Sequence, residues 1–397
     1  MESKKFFALT LVLYLSSLIS YYIQIKIIDI YGLQVKYNFD LYMSYLQIAI
    51  TLAIFGLPNA ISLMASREKK IPKSLYKYCL LMAVISTIIL GVFFLENNYL
   101  ILPILFVFLY MSLFNDLNVG VMNSVGMFEY PRIWQLIGNM VLLILVLINP
   151  IKNIFDINID DNYHALIFIV TPILPLFCFI SLSKRYKENS IGYETISLRS
   201  VLKYVNYIYI FSIISIVMTR VPYINFSGFL DKLSLAQYSL SLSLSNFIVI
   251  PLNLLTLKVL SSEMKKEVNV FLVNFFLFFI VVTIALFIYL FSGYFAFLLN
   301  IVNISSAEIL ISTFLFVSLM AISSVNLSIA LRMQKKLKEF IVLDMILISV
   351  IFAITLNLIV TLESLSEYNY VISGAVLLKM ILQVYILRGD NVYDRNC

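Results

Sequence analysis

The sequence predicts an all-α integral membrane protein, with twelve transmembrane helices in two six-helix bundles. Three observations carry this: a composition too apolar for water, twelve long apolar runs, and basic residues gathered in alternate connections. The chain is 61% hydrophobic and 13% charged, with mean hydropathy +0.97, against roughly 45–50% apolar and 25% charged in a soluble domain. Such a chain uses lipid as its solvent, where only helices or closed barrels satisfy their backbone groups. A helix crosses the hydrocarbon in about 20 apolar residues, and the runs here are that long.

The spans expected in order are Phe6–Ile28, Leu41–Ala65, Leu75–Leu95, Leu100–Val125, Ile133–Asn149 and Ala165–Leu182, then Val201–Ile224, Leu233–Lys258, Val270–Phe291, Ile309–Leu331, Phe340–Thr361 and Asn369–Leu387. The apolar stretch Gly293 to Val302 is too short to cross and reads as an interfacial or re-entrant piece. Cytoplasmic loops carry the excess of Lys and Arg. With the N-terminus inside, the inner segments hold twenty-two basic residues, and the outer loops hold only Lys26, Lys36, Lys152 and Lys232. Both termini are therefore expected in the cytoplasm. The net charge of +6 follows from this topology and argues against a nucleic-acid partner. The first span lacks a small-x-small cleavage site and reads as a retained anchor. Cys79, Cys178 and Cys397 have no paired spacing that would indicate a disulfide framework or a metal.

A faint repeat relates the two halves. The second span ends FGLPNAISLMASREKK and the eighth VIPLNLLTLKVLSSEMKK, so Pro58 matches Pro251, each with a nearby Asn, then Ser, Glu and a Lys pair. Asn118 in the fourth span and Asn326 in the tenth fall at the same place. The division lies near residue 195, in the basic loop Lys184 to Ser200, giving an N-terminal bundle 1–195 and a C-terminal bundle 196–397. Each starts from the cytoplasm. Repeated bundles are common in transporters.

Gly56, Leu57 and Pro58 with a Ser66-Arg67 exit, and the segment MTRVPYINFSGFLDKLSLAQYSLSLSLSNFIVIPLN with Arg220, Phe229, Ala236, Tyr238 and Ser239, are the local carriers of a resemblance. Together with twelve spans and short loops, the pattern resembles the Wzx-type O-antigen and capsule repeat-unit flippases of the multidrug/oligosaccharidyl-lipid/polysaccharide exporter superfamily, over nearly the whole chain. The resemblance implies a MATE-like V-shaped fold with a central cavity lined by spans 1, 2, 7 and 8. It also implies transfer of an undecaprenyl-diphosphate-linked oligosaccharide from the inner to the outer leaflet of the bacterial inner membrane. The pathway's polymerase and chain-length regulator are the protein partners it suggests.

A flippase must shield a sugar-diphosphate head from hydrocarbon, so hydroxyls, amides and positive charge are sought at i, i+3, i+4 spacing. Span 1 offers Ser17, Tyr21 and Gln24; span 2 offers Ser44, Gln47 and Thr51. Span 7 offers Ser212, Ser215 and Thr219, and span 8 offers Gln237, Ser241 and Ser245. Such residues either line a cavity or serve close helix packing.

Ionisable groups inside spans are functional candidates. Arg220 lies roughly 25 Å from the inner boundary at about 1.5 Å per residue, where it either meets a phosphate or snorkels. Asp116, roughly 20 Å from the inner side by the same rise, either couples a proton or sodium ion or forms a structural pair. Asp344 and Lys379 lie roughly 9 to 14 Å from the cytoplasmic face on neighbouring spans, and a salt bridge between them is expected.

Enzymatic chemistry is not expected. His164 is the only histidine, a metal-ligand set is missing, and there is no Gly-x-x-x-x-Gly-Lys-Ser/Thr loop for ATP. No cofactor is called for; energy would come from a proton or sodium gradient, the membrane potential or consumption of product. Two alternatives stand beside the flippase. An O-antigen polymerase would carry a large outer loop with catalytic Arg or His, whereas Pro150 to His164 is short and acidic. A multidrug or sugar exporter of similar size shares the architecture, although the loop motif of the major facilitator type is replaced by SREKKIPKS.

Overall fold

The computed structural model describes residues 3–54, 70–72, 74–94, 101–124, 129–148, 167–168, 192–194, 220, 232–261, 270–291, 294, 305–333, 337–355 and 364–388. These hold ten helices: α1 (Ser3–Tyr31), α2 (Leu33–Ile54), α3 (Ser74–Phe94), α4 (Ile101–Ser124), α5 (Glu129–Ile148), α6 (Lys232–Ser261), α7 (Val270–Leu290), α8 (Ser305–Met333), α9 (Leu337–Thr355) and α10 (Leu365–Arg388). Two short strands, β1 (Lys70–Pro72) and β2 (Gly192–Glu194), pair in parallel with Ile71 opposite Tyr193. Each helix coincides with an expected span. The sixth and seventh spans lie outside the described residues apart from Ile167, Phe168 and Arg220, as does the stretch 293–302 apart from Tyr294.

Among the described residues five helical stretches are long and apolar enough to cross a membrane, within α1, α6, α7, α8 and α10, and α3, α4 and α5 hold shorter apolar stretches. Their outer faces are apolar rather than charged. On α7, Phe271, Phe275, Phe276, Phe279 and Leu290 are all more than half exposed, an arrangement that lipid tolerates and water does not.

The expected start of the second span, Leu41, is corrected. Only Gly32 separates α1 from α2, so the helix begins at Leu33. Gly32 has φ +89°, and a Cβ there would meet nothing within 4 Å. Glycine is needed for the left-handed backbone, not for space. Its N–H still donates to the Ile28 carbonyl at 3.0 Å, so the first helix runs up to the turn. Lys26, Lys36 and Lys232, assigned above to outer loops, accordingly sit within α1, α2 and α6.

The chain divides into two compact units, Leu11–Ile224 and Asn225–Cys397 with Met1–Thr10. The boundary expected near residue 195 falls outside the described residues. In the first unit α2, α3 and α4 pack on one another around Leu46, Ala53, Cys79, Ala83 and Leu109. Ile23, Ile27, Val35, Leu142, Val146 and Phe168 form a second cluster, where Tyr31 and Phe168 meet edge to face at 4.9 Å. Asn139 on α5 ties this side to α1 by donating to both the carbonyl and the Oγ of Ser16, each at 3.0 Å.

In the second unit α8 is the centre, packed against α6, α7, α9 and α10. Its sequence suits that place: Ser312, Thr313, Ser318, Ser323 and Ala330 are fully buried, and small side chains let neighbouring backbones approach. α10 begins with a cap, Ser364 Oγ accepting the Glu367 N–H at 3.2 Å, which satisfies one of the helix's free donors. α6 continues through Pro251; proline is tolerated in spanning helices where neighbours re-satisfy the backbone.

Candidate functional site

The first half of α2 is a run of polar side chains at i, i+4 spacing. Gln34 donates to Asn38 Oδ1 at 3.1 Å, Lys36 forms an ion pair with Asp40, and Ser44 donates to the Asp40 carbonyl at 2.7 Å. Lys36 is 0% and Asp40 6% exposed. Four residues make just over one helical turn, which stacks the two charges on one face. A charge taken out of water costs several kcal/mol after relaxation, and Asp40 offsets much of that for Lys36. Arg220, in the same unit, lies within electrostatic reach of Lys36; its Nε is buried and has no hydrogen-bond partner among the described residues.

Of the other first-unit residues picked from sequence, Ser17, Tyr21, Gln24 and Gln47 are half-buried and Thr51 is buried. Ser215 and Thr219 lie outside the described residues. Asp116 on α4 is half-buried, accepting from Asn115 Nδ2 at 3.5 Å, and the cation within its electrostatic reach is Arg132 on α5. Arg132 in turn donates to Gln135 at 3.1 Å. Asp116 and Arg220 thus have different charged neighbours.

In the second unit, Gln237, Ser241 and Ser245 form a straight stripe on α6, all at 3% exposure or less, and the hydroxyls of Ser241 and Ser245 have no hydrogen-bond partner among the described residues. Lys379 on α10 and Asp344 on α9 form an ion pair at 2.5 Å with both side chains 2% exposed. One turn along α10, Gln383 accepts from Asn326 on α8 at 3.5 Å. Asn326 exchanges two hydrogen bonds with Asn274 on α7, at 2.9 and 2.8 Å. At this level polar side chains join α7, α8 and α10 through Asn274, Asn326 and Gln383, and separately α9 and α10 through Asp344 and Lys379. At the other end of α10, Asn369 donates to Ser312 at 3.3 Å and Thr313 at 3.1 Å.

Sequence reasoning missed Lys36 and Asp40, which fell in an assumed loop. Their i, i+4 spacing, repeated by Gln34 with Asn38, was the available signal. It also missed Asn274, a lone amide in an otherwise apolar helix. Among the described residues no group of three or more His, Cys, Asp or Glu is placed to hold a metal.

No known family profile matches the chain, and no curated protein matches it in sequence. Solved structures match it over nearly its whole length. An outward-facing multidrug resistance MATE family transporter of the MOP superfamily is similar at 12% identity and TM-score 0.65, over 99% of this chain and 96% of that one. The Vibrio cholerae MATE transporter VcmN in its bent form is similar at 13% identity and TM-score 0.62, over 98% of both chains. A MOP superfamily transporter from Pyrococcus furiosus, described as having a binding pocket of reverse polarity, is similar at 13% identity and TM-score 0.58, over 96% and 94%. The class is therefore that of an all-helical, multi-pass membrane protein. Within it, the chain has the fold of the MATE transporters of the MOP superfamily.

Proposed function

We propose that this protein is a flippase that carries undecaprenyl-diphosphate-linked O-antigen or capsule repeat units from the inner to the outer leaflet of a bacterial inner membrane by alternating access. The observation that carries the reading is a transporter fold matched over 99% of the chain, together with a buried cation, Lys36, and a half-buried one, Arg220. A diphosphate head needs positive charge along its route. The hydroxyls and amides of α1, α2 and α6 suit the sugars: Ser17, Tyr21, Gln24, Gln47, Thr51, Gln237 and Ser241, with Ser215 and Thr219 of the seventh span. Asp116 is the proposed site for a coupling proton or sodium ion. The two halves divide near residue 195, both termini face the cytoplasm, and the polymerase and chain-length regulator of the pathway act on the product.

The test is to delete the gene and locate the lipid-linked repeat unit. Single units held on the cytoplasmic side are the expected result; unpolymerised units delivered outside point instead to a polymerase. Arg220→Ala is expected to impair export at normal protein level, and unchanged export reassigns Arg220 to snorkelling. A multidrug exporter is the second reading, favoured by the multidrug transporter among the similar structures. Drug efflux with no effect of deletion on repeat-unit location would select it.

A further inference from the structure

We propose that Lys26 and Asp29, with Tyr22 one turn before them, form a headgroup site on α1 for a zwitterionic phospholipid whose ammonium carries hydrogens, a phosphatidylethanolamine. The ligand is a lipid of the surrounding bilayer, so the site does not depend on what the protein carries.

Phe7, Leu11, Leu15, Leu18 and Tyr22 follow one another along α1 in steps of three and four, and all are more than two-fifths exposed. Such steps keep them on one face of the helix. A file of exposed Phe and Leu suits hydrocarbon rather than a wet path for sugars. The next two steps on the same face reach Lys26 and Asp29, where it becomes charged. Between Lys5 and Lys26 the twenty residues from Phe6 to Ile25 include no Asp, Glu, Lys or Arg. At about 1.5 Å per residue that stretch is roughly 30 Å long, about the thickness of the hydrocarbon core. Lys26 and Asp29 therefore stand where acyl chains give way to headgroups, at the end of α1 that the Lys and Arg distribution assigns to the outer side. Tyr22 lies at the level where aromatic rings collect.

Lys26 Nζ donates to Asp29 Oδ2 at 3.0 Å, and the two side chains remain 28% and 39% exposed. An exposed ion pair adds little to stability, and this bond uses one of the ammonium's three donors and one acceptor position of the carboxylate. The other donors and acceptors are open to what lies beside the helix, a layer of lipid headgroups. A single zwitterionic headgroup matches both charges: its phosphate accepts from Lys26 and its ammonium donates to Asp29, closing a neutral ring of four charges. Asp29 sets the selectivity, because an anionic headgroup without an ammonium meets Lys26 but is repelled by the carboxylate. A choline headgroup has no N–H to donate. The ring that could hold its quaternary nitrogen, that of Tyr22, already has Lys26 Nζ over it, 5.5 Å from the centroid. The bound headgroup fixes the depth of α1 in the bilayer six residues before the Gly32 turn. No covalent bond is made or broken.

The test is native mass spectrometry of the full-length protein, stripped of lipid in detergent and titrated separately with dioctanoyl phosphatidylethanolamine, phosphatidylcholine and phosphatidylglycerol. The parent is expected to hold phosphatidylethanolamine about fivefold more tightly than either of the others, the range of an exposed ion pair. Lys26→Gln is expected to abolish that advantage by weakening phosphatidylethanolamine binding. Asp29→Asn is expected to abolish it the other way, by letting phosphatidylglycerol bind as tightly. A pair that serves only the helix moves neither preference. If either variant does not fold, Asp29→Lys decides, and it is expected to turn the preference to phosphatidylglycerol. Equal binding of the three lipids by the parent, a parent preference for phosphatidylcholine or phosphatidylglycerol, or the parent's preference kept in the folded variants overturns the proposal.

Discussion

The Lys379–Asp344 pair gives the sharpest energetic test. Both side chains are 2% exposed and the charged atoms are 2.5 Å apart, so neither has a route to water once its partner is gone. Lys379→Met leaves Asp344 buried and unpaired, and breaking a buried pair from one side costs about 3–5 kcal/mol. Asp344→Leu removes the carboxylate beside the buried ammonium of Lys379 and is expected to be destabilising as well. The double variant Asp344→Leu/Lys379→Met removes both desolvation penalties together, and such replacements range from neutral to about 1–4 kcal/mol stabilising. The prediction is therefore strong non-additivity: two damaging single changes and a harmless pair. Reversible unfolding in mixed micelles of dodecylmaltoside and sodium dodecyl sulfate, followed by circular dichroism, measures all four corners of the cycle. Single variants within about 1 kcal/mol of the parent, the range of solvent-exposed ion pairs, would refute the claim that this pair is sealed in the interior of the second unit.

The same unfolding assay reads three further expectations. Gly32→Ala forces a side chain into a left-handed backbone with open space around it, so the cost should be about 1–2 kcal/mol, and Gly32→Asn, which tolerates that region, should cost less. Asn326→Leu leaves Asn274 Oδ1 without the Asn326 donor, while Asn274 Nδ2 keeps the Val270 carbonyl, and should cost about 1–3 kcal/mol; Asn274→Leu/Asn326→Leu should recover most of it, and no recovery would mean the amides act separately. Phe275, 64% exposed on α7, faces lipid on this reading. Phe275→Leu should then be silent, while Phe275→Arg, near one end of α7, should cost less than the about 2.5–3.5 kcal/mol of a central position and lower the yield of membrane-inserted protein.

The helices were legible because lipid imposes one simple demand, a run of about 20 apolar residues, and α3, α4, α7 and α9 answer it within a few residues at each start. Depth counted along the chain likewise placed Asp344 and Lys379 at like distances from the inner side, where they are in contact. The start of α2 was not legible. KYNFD looks like a loop to any average of hydropathy, since the average counts Lys36 and Asp40 as two polar residues while the fold presents them as one neutral pair. The amide chain through Asn274, Asn326 and Gln383 was hidden for another reason. Which amide meets which is decided by how α7, α8 and α10 pack, and nothing local to Gln383 announces its partner.

The bonds Asn369–Ser312 and Asn326–Gln383 both join residues 57 positions apart. A constant separation means that α8 and α10 run in the same direction and are riveted in a single register near both ends. Sliding α10 past α8 by one turn would break both rivets at once and leave Asn369 and Gln383 without their partners on α8, away from water. Within the second unit these two helices are held as one beam, to which α7 is tied through Asn274 and α9 through Asp344.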